Sequence, residues 1–248
     1  MRRFVRSATI AVALLLAASS SASAQLVHSL HIGGGVFFPR GIDARVTDDV
    51  IVRNFFGEAV PARPDLTDAL AFEMNDFIGG RVFGEWNLGI GRHVEVGASL
   101  GYYRQTVPTV YRDFVDEDFS EIFQEMRLQI VPVTFHVRFM PFGTVGQVQP
   151  YVGAGFALLN YRYSETGEFL DSNTLQVFQD SFSKRGTAPG GLLLGGVRFP
   201  IGGDVYGIGV EGRYTFGSGD TGGLENGFLA EKVDLSGAEL NFSFLMRF

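Results

Sequence analysis

The sequence predicts an all-β protein, an eight-stranded antiparallel transmembrane β-barrel with four long extracellular loops and three short periplasmic turns. Apolar and polar residues alternate in eight segments, and long and short connections alternate between those segments without exception. After the N-terminal segment, no stretch offers the uninterrupted apolar run of about 18 residues that a spanning helix needs. Glycine is abundant, at 33 of 248 residues, which suits a small and strongly curved barrel.

The N-terminal segment has the pattern of a secretory signal peptide. Three arginines precede an apolar stretch from Ala8 to Ala18, and the small residues at positions 22–24 follow it. The apolar stretch is too short to span a bilayer comfortably, so a membrane anchor is the weaker interpretation. We therefore predict a signal peptide over residues 1–24, cleaved before Gln25, and a single barrel domain over residues 25–248.

The eight strands are predicted from residues that alternate between two faces. In the second strand, Val82 and Trp86 share one face, and Arg81 and Glu85 share the other. The third and seventh strands alternate in the same way, whereas the facing of the fifth is ambiguous. In the fourth, the apolar alternation changes phase near Pro132, which predicts a bulge there. The predicted strands are Ser29–Phe38, Phe77–Leu88, His93–Arg104, Met126–Phe139, Tyr151–Tyr163, Gly190–Phe199, Val205–Phe216 and Glu239–Phe248.

The connections between these strands sort by length. In chain order they hold about 38, 4, 21, 9, 25, 5 and 18 residues, as counted along the sequence. Outer-membrane barrels have long extracellular loops, short periplasmic turns and an even number of strands. Both ends of the barrel domain are therefore expected in the periplasm. Within the first loop, residues 65–76 predict either a short amphipathic helix or a cap over the barrel mouth.

Aromatic residues near the strand ends predict two girdles at the membrane surfaces. Ordinary aromatic preference for strands is the alternative explanation. The predicted turn-side girdle is Trp86, Phe139, Phe142, Tyr151, Phe199, Tyr206 and Phe248, and the loop-side girdle is Phe77, Tyr102, Tyr103, Tyr161, Tyr163, Tyr214 and Phe216.

Eight charged residues are predicted to face the barrel interior as a salt-bridged plug. Eighteen of the 20 basic residues in the chain are arginines, which form bidentate pairs with carboxylates more readily than lysines do. Eight strands enclose an interior about wide enough for side chains to fill it. We therefore predict a structural network rather than a wide pore or a catalytic cluster. Its members are Arg81, Glu85, Glu95, Arg138, Arg198, Glu211, Arg213 and Glu239.

The last predicted strand has one apolar face and one mixed face, and it ends on Phe248. This strand, the signal peptide and the segments Pro150–Tyr163 (PYVGAGFALLNYRY) and Gly209–Phe216 (GVEGRYTF) resemble small bacterial outer-membrane barrels of the OmpA, OmpX and OmpW type. The resemblance implies a location in the bacterial outer membrane, among lipid and lipopolysaccharide, and a barrel-assembly machinery as partner. It also implies an assembly signal made of Phe242, Phe244, Met246 and Phe248.

We predict no catalytic, cofactor-binding or metal site. None of the four histidines begins the His-x-Ser pair of lipid A deacylase barrels. Gly217–Gly222 matches the pattern G-x-G-x-x-G, but loop residues follow it where a dinucleotide site needs a helix. Cysteine is absent, which excludes disulfides and thiolate ligands, and a net charge of −7 without a basic run does not support nucleic-acid binding.

The acidic residues of the second loop do not have the spacing of an EF-hand. They indicate a solvated loop, or alternatively a contact with the divalent cations that bridge lipopolysaccharide phosphates. These residues are Asp113, Asp116, Glu117, Asp118 and Glu121.

Three classes of function remain open from the sequence. We favour a monomeric, non-enzymatic protein that contributes to envelope integrity or surface interaction through its extracellular loops. The second class is an OmpW-like binder or conduit for small apolar molecules, which needs an apolar funnel in the interior. Phe83, Tyr103 and Phe156 are the candidate residues for such a funnel. The third class is a lipid-modifying enzyme of the outer membrane.

Overall fold

A computed structural model of the chain describes residues 26–201, 203 and 205–248. The predicted signal peptide and its cleavage site lie outside these residues. The described part is mostly antiparallel β-structure. Its strands are β1 (Leu26–Pro39), β2 (Ala59–Val60), β3 (Arg63–Thr67), β4 (Gly79–Ile90), β5 (Val94–Val115), β6 (Glu121–Phe139), β7 (Gln149–Leu170), β8 (Val177–Ile201), β9 (Tyr206–Asp220), β10 (Lys232–Asp234) and β11 (Gly237–Arg247).

Eight of these strands close into one ring. The order around the ring is β1–β4–β5–β6–β7–β8–β9–β11, and β11 pairs with β1 to complete it. Closure is visible in the register, because Leu30 of β1 lies opposite Trp86 of β4 on one side and Met246 of β11 on the other. The predicted eight-stranded antiparallel barrel is confirmed. We call the end with the short connections the turn end and the opposite end the loop end.

The outer wall of the ring carries an apolar band. Side chains alternate between an exposed apolar position and a buried position along every ring strand, as the two-residue period of a strand requires. The band residues include Leu30, Ile32, Val36, Val82, Trp86, Leu100, Tyr102, Phe135, Val137, Phe139, Val152, Phe156, Leu193, Phe199, Ile208, Val210, Phe216, Leu240, Phe242 and Phe244.

The predicted bulge at Pro132 is wrong. The pairing of β6 with β7 keeps one register from Gln124 to Phe139, so no extra residue is inserted. Even-numbered residues of β6 face inward throughout, including Ile130 before the proline and His136 after it. The sequence changes phase because the interior changes from apolar at the loop end to polar at the turn end. The strand itself does not turn over.

The fifth predicted strand, now β7, also has a defined facing. Its odd-numbered residues Leu159, Tyr161 and Tyr163 are buried in the interior, and Val152 and Phe156 lie on the outer wall. Small and large residues alternate irregularly on both faces of this strand, which is why its sequence pattern was ambiguous.

Two predicted loops are largely strand. β5 is 22 residues long and β8 is 25, well beyond the 9–11 residues or so that cross a bilayer. The second and third predicted loops therefore continue the wall as two hairpins, β5–β6 and β7–β8, and only residues 116–120 and 171–176 turn at their tips. Their outward positions are mostly polar, so they lack the apolar outer face that identified the rest of the strands, although inward residues such as Val107 and Ile122 are buried.

The first and last loops fold inward over the loop end as a cap. The first contains a 3-10 helix (Ile42–Ala44), helix α1 (Val50–Phe56), the β2–β3 hairpin and a second 3-10 helix (Met74–Phe77); the last contains a third (Gly223–Asn226) and β10. The cap and the interior at the loop end share one apolar core. None of the described helices is long and apolar enough to cross a membrane. The core includes Phe37, Ile51, Leu70, Phe77, Tyr103, Met126, Leu128, Leu159, Tyr163, Phe228 and Val233.

Helix α1 begins and ends on strong local signals. The Asp49 carboxylate accepts hydrogen bonds from the backbone N–H of Ile51, at 2.8 Å, and of Val52, at 3.3 Å. Gly57 ends the helix with a φ of 65°, which favours glycine. The amphipathic helix predicted for residues 65–76 is wrong, because this segment is divided between β3, an extended stretch and the start of a 3-10 helix. The alternative prediction, a cap, agrees with its position.

The predicted girdles are only partly right. Five of the fourteen predicted members, namely Phe77, Tyr103, Tyr151, Tyr161 and Tyr163, are buried in the interior or under the cap. The turn-side girdle keeps six members that face outward or are exposed: Trp86, Phe139, Phe142, Phe199, Tyr206 and Phe248. The loop-side aromatics serve mainly as core, since the cap gives them apolar partners.

Truncating the buried side of α1 should open the cap and leave the ring closed. Ile51 is fully buried and Phe56 on the same helix is 58% exposed. We expect Ile51→Ala to lower the free energy of cap opening by about 2–5 kcal/mol, and to speed tryptic cleavage after Arg53, which is followed by Asn54. Phe56→Ala is the matched control and should leave the cleavage rate nearly unchanged. Equal protection in both variants would contradict this account of the cap.

Candidate functional site

The charged interior centres on Glu85 of β4. Its carboxylate accepts a bidentate pair of hydrogen bonds from Arg138 of β6, at 2.5 and 2.9 Å, and a third from Arg213 of β9 at 3.0 Å. The two arginines reach Glu85 from different sides of the barrel, because β6 and β9 lie on different arcs of the ring. All three side chains are almost completely buried. Glu85 therefore joins three strands through the lumen.

Glu211 of β9 completes the centre. It accepts hydrogen bonds from Arg138 at 2.5 Å, from Arg213 at 2.6 and 3.0 Å, and from the Tyr151 hydroxyl at 3.0 Å. Two carboxylates and two guanidinium groups thus alternate around a closed circuit. Charged hydrogen bonds of this geometry are the strong class, and here each ion compensates the burial of its neighbours.

Two further ion pairs flank this circuit. Arg81 pairs with Glu239, which also lies 3.9 Å from Arg213, and Arg198 pairs with Glu95 at 2.6 and 2.7 Å. The Tyr151 ring contacts the guanidinium groups of both Arg138 and Arg198, each 4.8 Å from its centroid. Such cation–π contacts link the turn-end pair to the centre.

The structure thus places all eight residues of the predicted interior network inside the ring. Six of them form one connected cluster of carboxylates and guanidinium groups, and the Arg198–Glu95 pair joins it through an aromatic ring. Four arginines face four glutamates, so the cluster has no net formal charge. The members are Arg81, Glu85, Glu95, Arg138, Arg198, Glu211, Arg213 and Glu239.

Neutral polar residues at inward positions complete the network. Asn87 donates to Glu85 at 2.8 Å, and its Oδ1 accepts from Arg138 at 3.1 Å and lies 3.0 Å from His136 Nε2. Ser99 accepts from Arg213 at 3.2 Å. The two-residue alternation of the second and third predicted strands places Asn87 and Ser99 on the inward face, and the structure adds that both bond to the charged residues.

A serine, a histidine and a glutamate also line up in the lumen. Ser29 Oγ lies 3.2 Å from His31 Nε2, and His31 Nδ1 lies 3.9 Å from Glu85 Oε1. This order resembles that of a hydrolytic triad. Both Glu85 oxygens are already held by arginines, and all three side chains are at most 3% exposed. A substrate therefore has no route to the serine, and the arrangement is a polar contact within the packed interior.

The free space beside the network is small. A cavity of about 10 Å³, lined by Phe37, Arg81, Tyr103, Pro132 and Glu239 among others, lies where the polar and apolar layers of the interior meet. That volume holds roughly one water molecule. The described interior at this level is therefore plugged by side chains.

The cap is anchored to the wall by a buried carboxylate. Glu165 of β7 accepts hydrogen bonds from Asn54 of α1 at 2.6 Å, from Tyr163 at 2.8 Å and from Gln124 at 3.3 Å. A second anchor joins the two halves of the cap, where Asp49 accepts from the backbone N–H of Asp234 at 2.5 Å. No sequence signal pointed to either anchor, since each joins residues far apart in the chain.

Other carboxylates of the loop end remain solvated or locally bonded. Burial raises the pKa of Asp68, which accepts a hydrogen bond from the Glu58 backbone. Hydrogen bonds from Ser120 lower the pKa of Asp118 at the β5–β6 tip. Asp113 accepts from Thr67 of the cap. Among the described residues, no group of three or more histidines and carboxylates is placed to hold a metal ion.

The Gly-rich segment Gly217–Gly222 serves packing. It continues β9 to Asp220 and then enters the last loop. The Tyr161 ring lies between Gly186 and Gly219, where a Cβ atom on either glycine would overlap the ring. The Tyr161 hydroxyl donates to the Asp220 carbonyl at 2.7 Å and accepts from the Asp220 N–H at 2.8 Å.

The predicted assembly-signal residues lie on the outer wall of the closing strand. Phe242, Phe244, Met246 and Phe248 all face outward, and Phe248 is 67% exposed at the turn end. The backbone of Phe248 exchanges two hydrogen bonds with His28 of β1, at 3.0 and 3.1 Å. The terminal residue is thus held at the seam where the ring closes.

Comparison with known proteins gives a likeness in shape only. No protein-family model matches the sequence, and no curated protein does. Among solved structures, 90% of this chain aligns with 97% of the N-terminal β-barrel domain of Pseudomonas aeruginosa OprF, at 11% identity and a TM-score of 0.38. Likewise, 90% of this chain aligns with 97% of Neisserial surface protein A, at 12% identity and a TM-score of 0.40.

The attachment invasion locus protein Ail of Yersinia pestis gives similar values. There 90% of this chain aligns with 98% of that protein, at 11% identity and a TM-score of 0.41. At these scores the fold assignment depends on the strand pairing of this chain itself. A closed antiparallel ring of eight strands with an apolar exterior and a charged interior is the architecture of small outer-membrane barrels.

Removing the central carboxylate should destabilise the barrel strongly. In Glu85→Gln, Arg138 and Arg213 remain buried with Glu211 as their one shared carboxylate, so the circuit carries an uncompensated positive charge, which typically costs about 3–5 kcal/mol. Equilibrium urea unfolding in phospholipid vesicles, followed by the fluorescence of the single tryptophan, measures the change.

The control is Glu125→Gln, which removes an exposed carboxylate 3.7 Å from Arg127 and should cost about 1 kcal/mol or less. The double variant Glu85→Gln/Arg213→Gln should recover part of the loss, because one unpaired cation is removed with the anion. A loss in Glu85→Gln no larger than the control's would show that the network does not hold the barrel together.

Proposed function

We propose that the protein is a closed, non-enzymatic barrel of the bacterial outer membrane that acts through the surface it presents at the loop end. The apolar outer band supports the membrane location, because hydrocarbon is the solvent such a wall suits. The plugged lumen supports a function outside the interior. Barrel-assembly machinery and surrounding lipid, including lipopolysaccharide, are its proposed partners, and we propose that it acts as a monomer.

The tips of the two long hairpins carry the proposal for surface contact. Phe119 at the β5–β6 tip has a φ of 67° and is 87% exposed, and Leu175 at the β7–β8 tip has a φ of 59°. Bulky side chains are unusual at positive φ, where glycine and asparagine are favoured. Phe119 is almost fully exposed to water in this strained conformation, so packing does not explain its placement, whereas Leu175 is 38% exposed. This placement supports a role in contact with another surface.

The other two functions receive less support. An apolar conduit needs an open funnel, but Phe156 lies on the outer wall, and the upper interior around Phe83 and Tyr103 is filled and covered by the cap. A lipid-modifying enzyme needs a nucleophile and base that lipid can reach, and Ser29 and His31 are enclosed.

Replacing the apolar tips should relieve backbone strain and weaken adhesion. We expect Phe119→Asn/Leu175→Asn to reduce the retention of expressing cells on polystyrene, with unfolding stability equal to or up to about 1–2 kcal/mol above the parent. The control is Phe142→Asn, which removes an exposed phenylalanine at the turn end. Unchanged retention in the tip variant, at equal surface expression, would refute the role of the tips.

The plugged interior predicts the absence of a stable conductance. Purified protein in planar bilayers should give no long-lived open steps, because Glu85, Arg138, Glu211 and Arg213 close the lumen by direct contact. A large porin reconstituted in parallel is the positive control. Stable open steps of porin size from this protein would exclude the closed barrel.

A further inference from the structure

Four arginines form a row on the outer wall, just beyond the apolar band at the loop end. Arg162 lies directly opposite Arg185 on the neighbouring strand, and Gln129 of β6 lies opposite both Arg104 and Arg162. Each arginine has the same outward parity as the band residues of its own strand. We call this set the arginine row: Arg104 on β5, Arg127 on β6, Arg162 on β7 and Arg185 on β8.

The positive charge of this row is largely unmatched. The side chains of Arg104 and Arg185 make no hydrogen bond or ion pair with any residue that the structure describes, and the Arg162 side chain donates only to the Ser183 hydroxyl at 3.1 Å. Arg127 alone has a carboxylate nearby, that of Glu125 at 3.7 Å. In the lumen of the same barrel, four arginines are matched by four glutamates.

The pairing of Arg162 with Arg185 is unfavourable as it stands. Like charges directly opposite on neighbouring antiparallel strands repel each other, with Cβ atoms about 4.5–5.5 Å apart. By contrast, Arg40 at the loop end of the opposite wall donates to Tyr214 at 3.1 Å and to Asp234 at 3.5 Å. The described part of the protein therefore supplies little negative charge to neutralise the arginine row.

A groove accompanies the row. It has a volume of about 250 Å³ and is lined by Gln129, Val131, Asn160, Arg162 and Arg185 on the outer wall. Its polar end carries the two guanidinium groups and two amides, and the apolar band begins directly below it. An anionic head held there would leave an attached acyl chain lying along the apolar wall. The groove suits an anionic amphiphile better than a free ion.

We propose that the arginine row binds the phosphate of a phosphorylated glycolipid in the outer leaflet, with Arg162 and Arg185 as the principal contacts. The planar guanidinium group matches phosphate oxygens in bidentate fashion, and phosphate is the headgroup anion at this depth. A phosphate between the two side chains turns their repulsion into a shared attraction. Arg104 and Arg127 extend the site to a second phosphate or a neighbouring lipid. This inference rests on the proposed outer-membrane location.

The test uses the whole barrel domain folded in a non-ionic detergent. Native mass spectrometry measures retention of diphosphorylated lipid A and, separately, of lipid A whose phosphates have been removed. We expect the parent protein to retain the phosphorylated lipid preferentially, and Arg162→Gln/Arg185→Gln to weaken that retention roughly tenfold or more. The control Arg63→Gln/Arg92→Gln removes the same charge from exposed positions elsewhere and should retain the lipid as the parent does.

Three results would overturn the lipid site. The parent could retain both lipids equally, or the row variant could retain the phosphorylated lipid unchanged. Displacement of the lipid by an equal concentration of inorganic phosphate would also overturn it, since the site would then recognise a free anion. Insertion of each variant into phospholipid vesicles is measured in parallel. Failure of the parent to insert would refute the membrane location itself, whereas insertion without phosphate-dependent retention refutes only the site.

Discussion

The narrow bore of an eight-stranded ring is the constraint from which the other features follow. Such a ring has room for side chains and little else, so every inward charge must meet a partner in the lumen. Here Glu85 and Glu211 meet Arg138 and Arg213 in a closed circuit. The circuit and the ion pairs that flank it fill the polar part of the lumen, and the circuit ties strands that are not neighbours in the sheet. Because the lumen is full, chemistry and recognition are left to the outer wall and the loop end.

Much of this arrangement could be predicted from the sequence, because it depends on local periodicity. Strands such as β9 and β11 alternate cleanly between an apolar outside and a polar inside, so their facing and the inward position of Arg213 and Glu239 were readable. The alternation near Pro132 gave a wrong prediction, and the reason is physical. A change of phase in the apolar alternation has two possible causes. Either the strand turns over at a bulge, or the interior that it faces changes from apolar to polar, and the sequence pattern is the same in both cases.

The cap and its anchors could not be predicted in the same way. Helix α1 has only seven residues, and its burial depends on Met126 and Tyr163, which come from β6 and β7 far along the chain. The Asn54–Glu165 hydrogen bond joins residues 111 positions apart. The arginine row is similar, since Arg104, Arg162 and Arg185 become neighbours only through strand register. Contacts of this kind belong to the closed ring and leave no local signature.

The two parts of the cap enter from opposite ends of the domain. Helix α1 follows β1, and β10 precedes β11, while β1 and β11 are the strands that meet at the seam. The contacts of Asp49 with Asp234 and of Asp48 with Lys232 therefore cross the seam above the wall. They hold the segment after β1 and the segment before β11 together next to the paired ends of these strands. In the folded protein the cap therefore acts as a clasp across the β1–β11 seam, where the two ends of the barrel domain are joined without a chain connection.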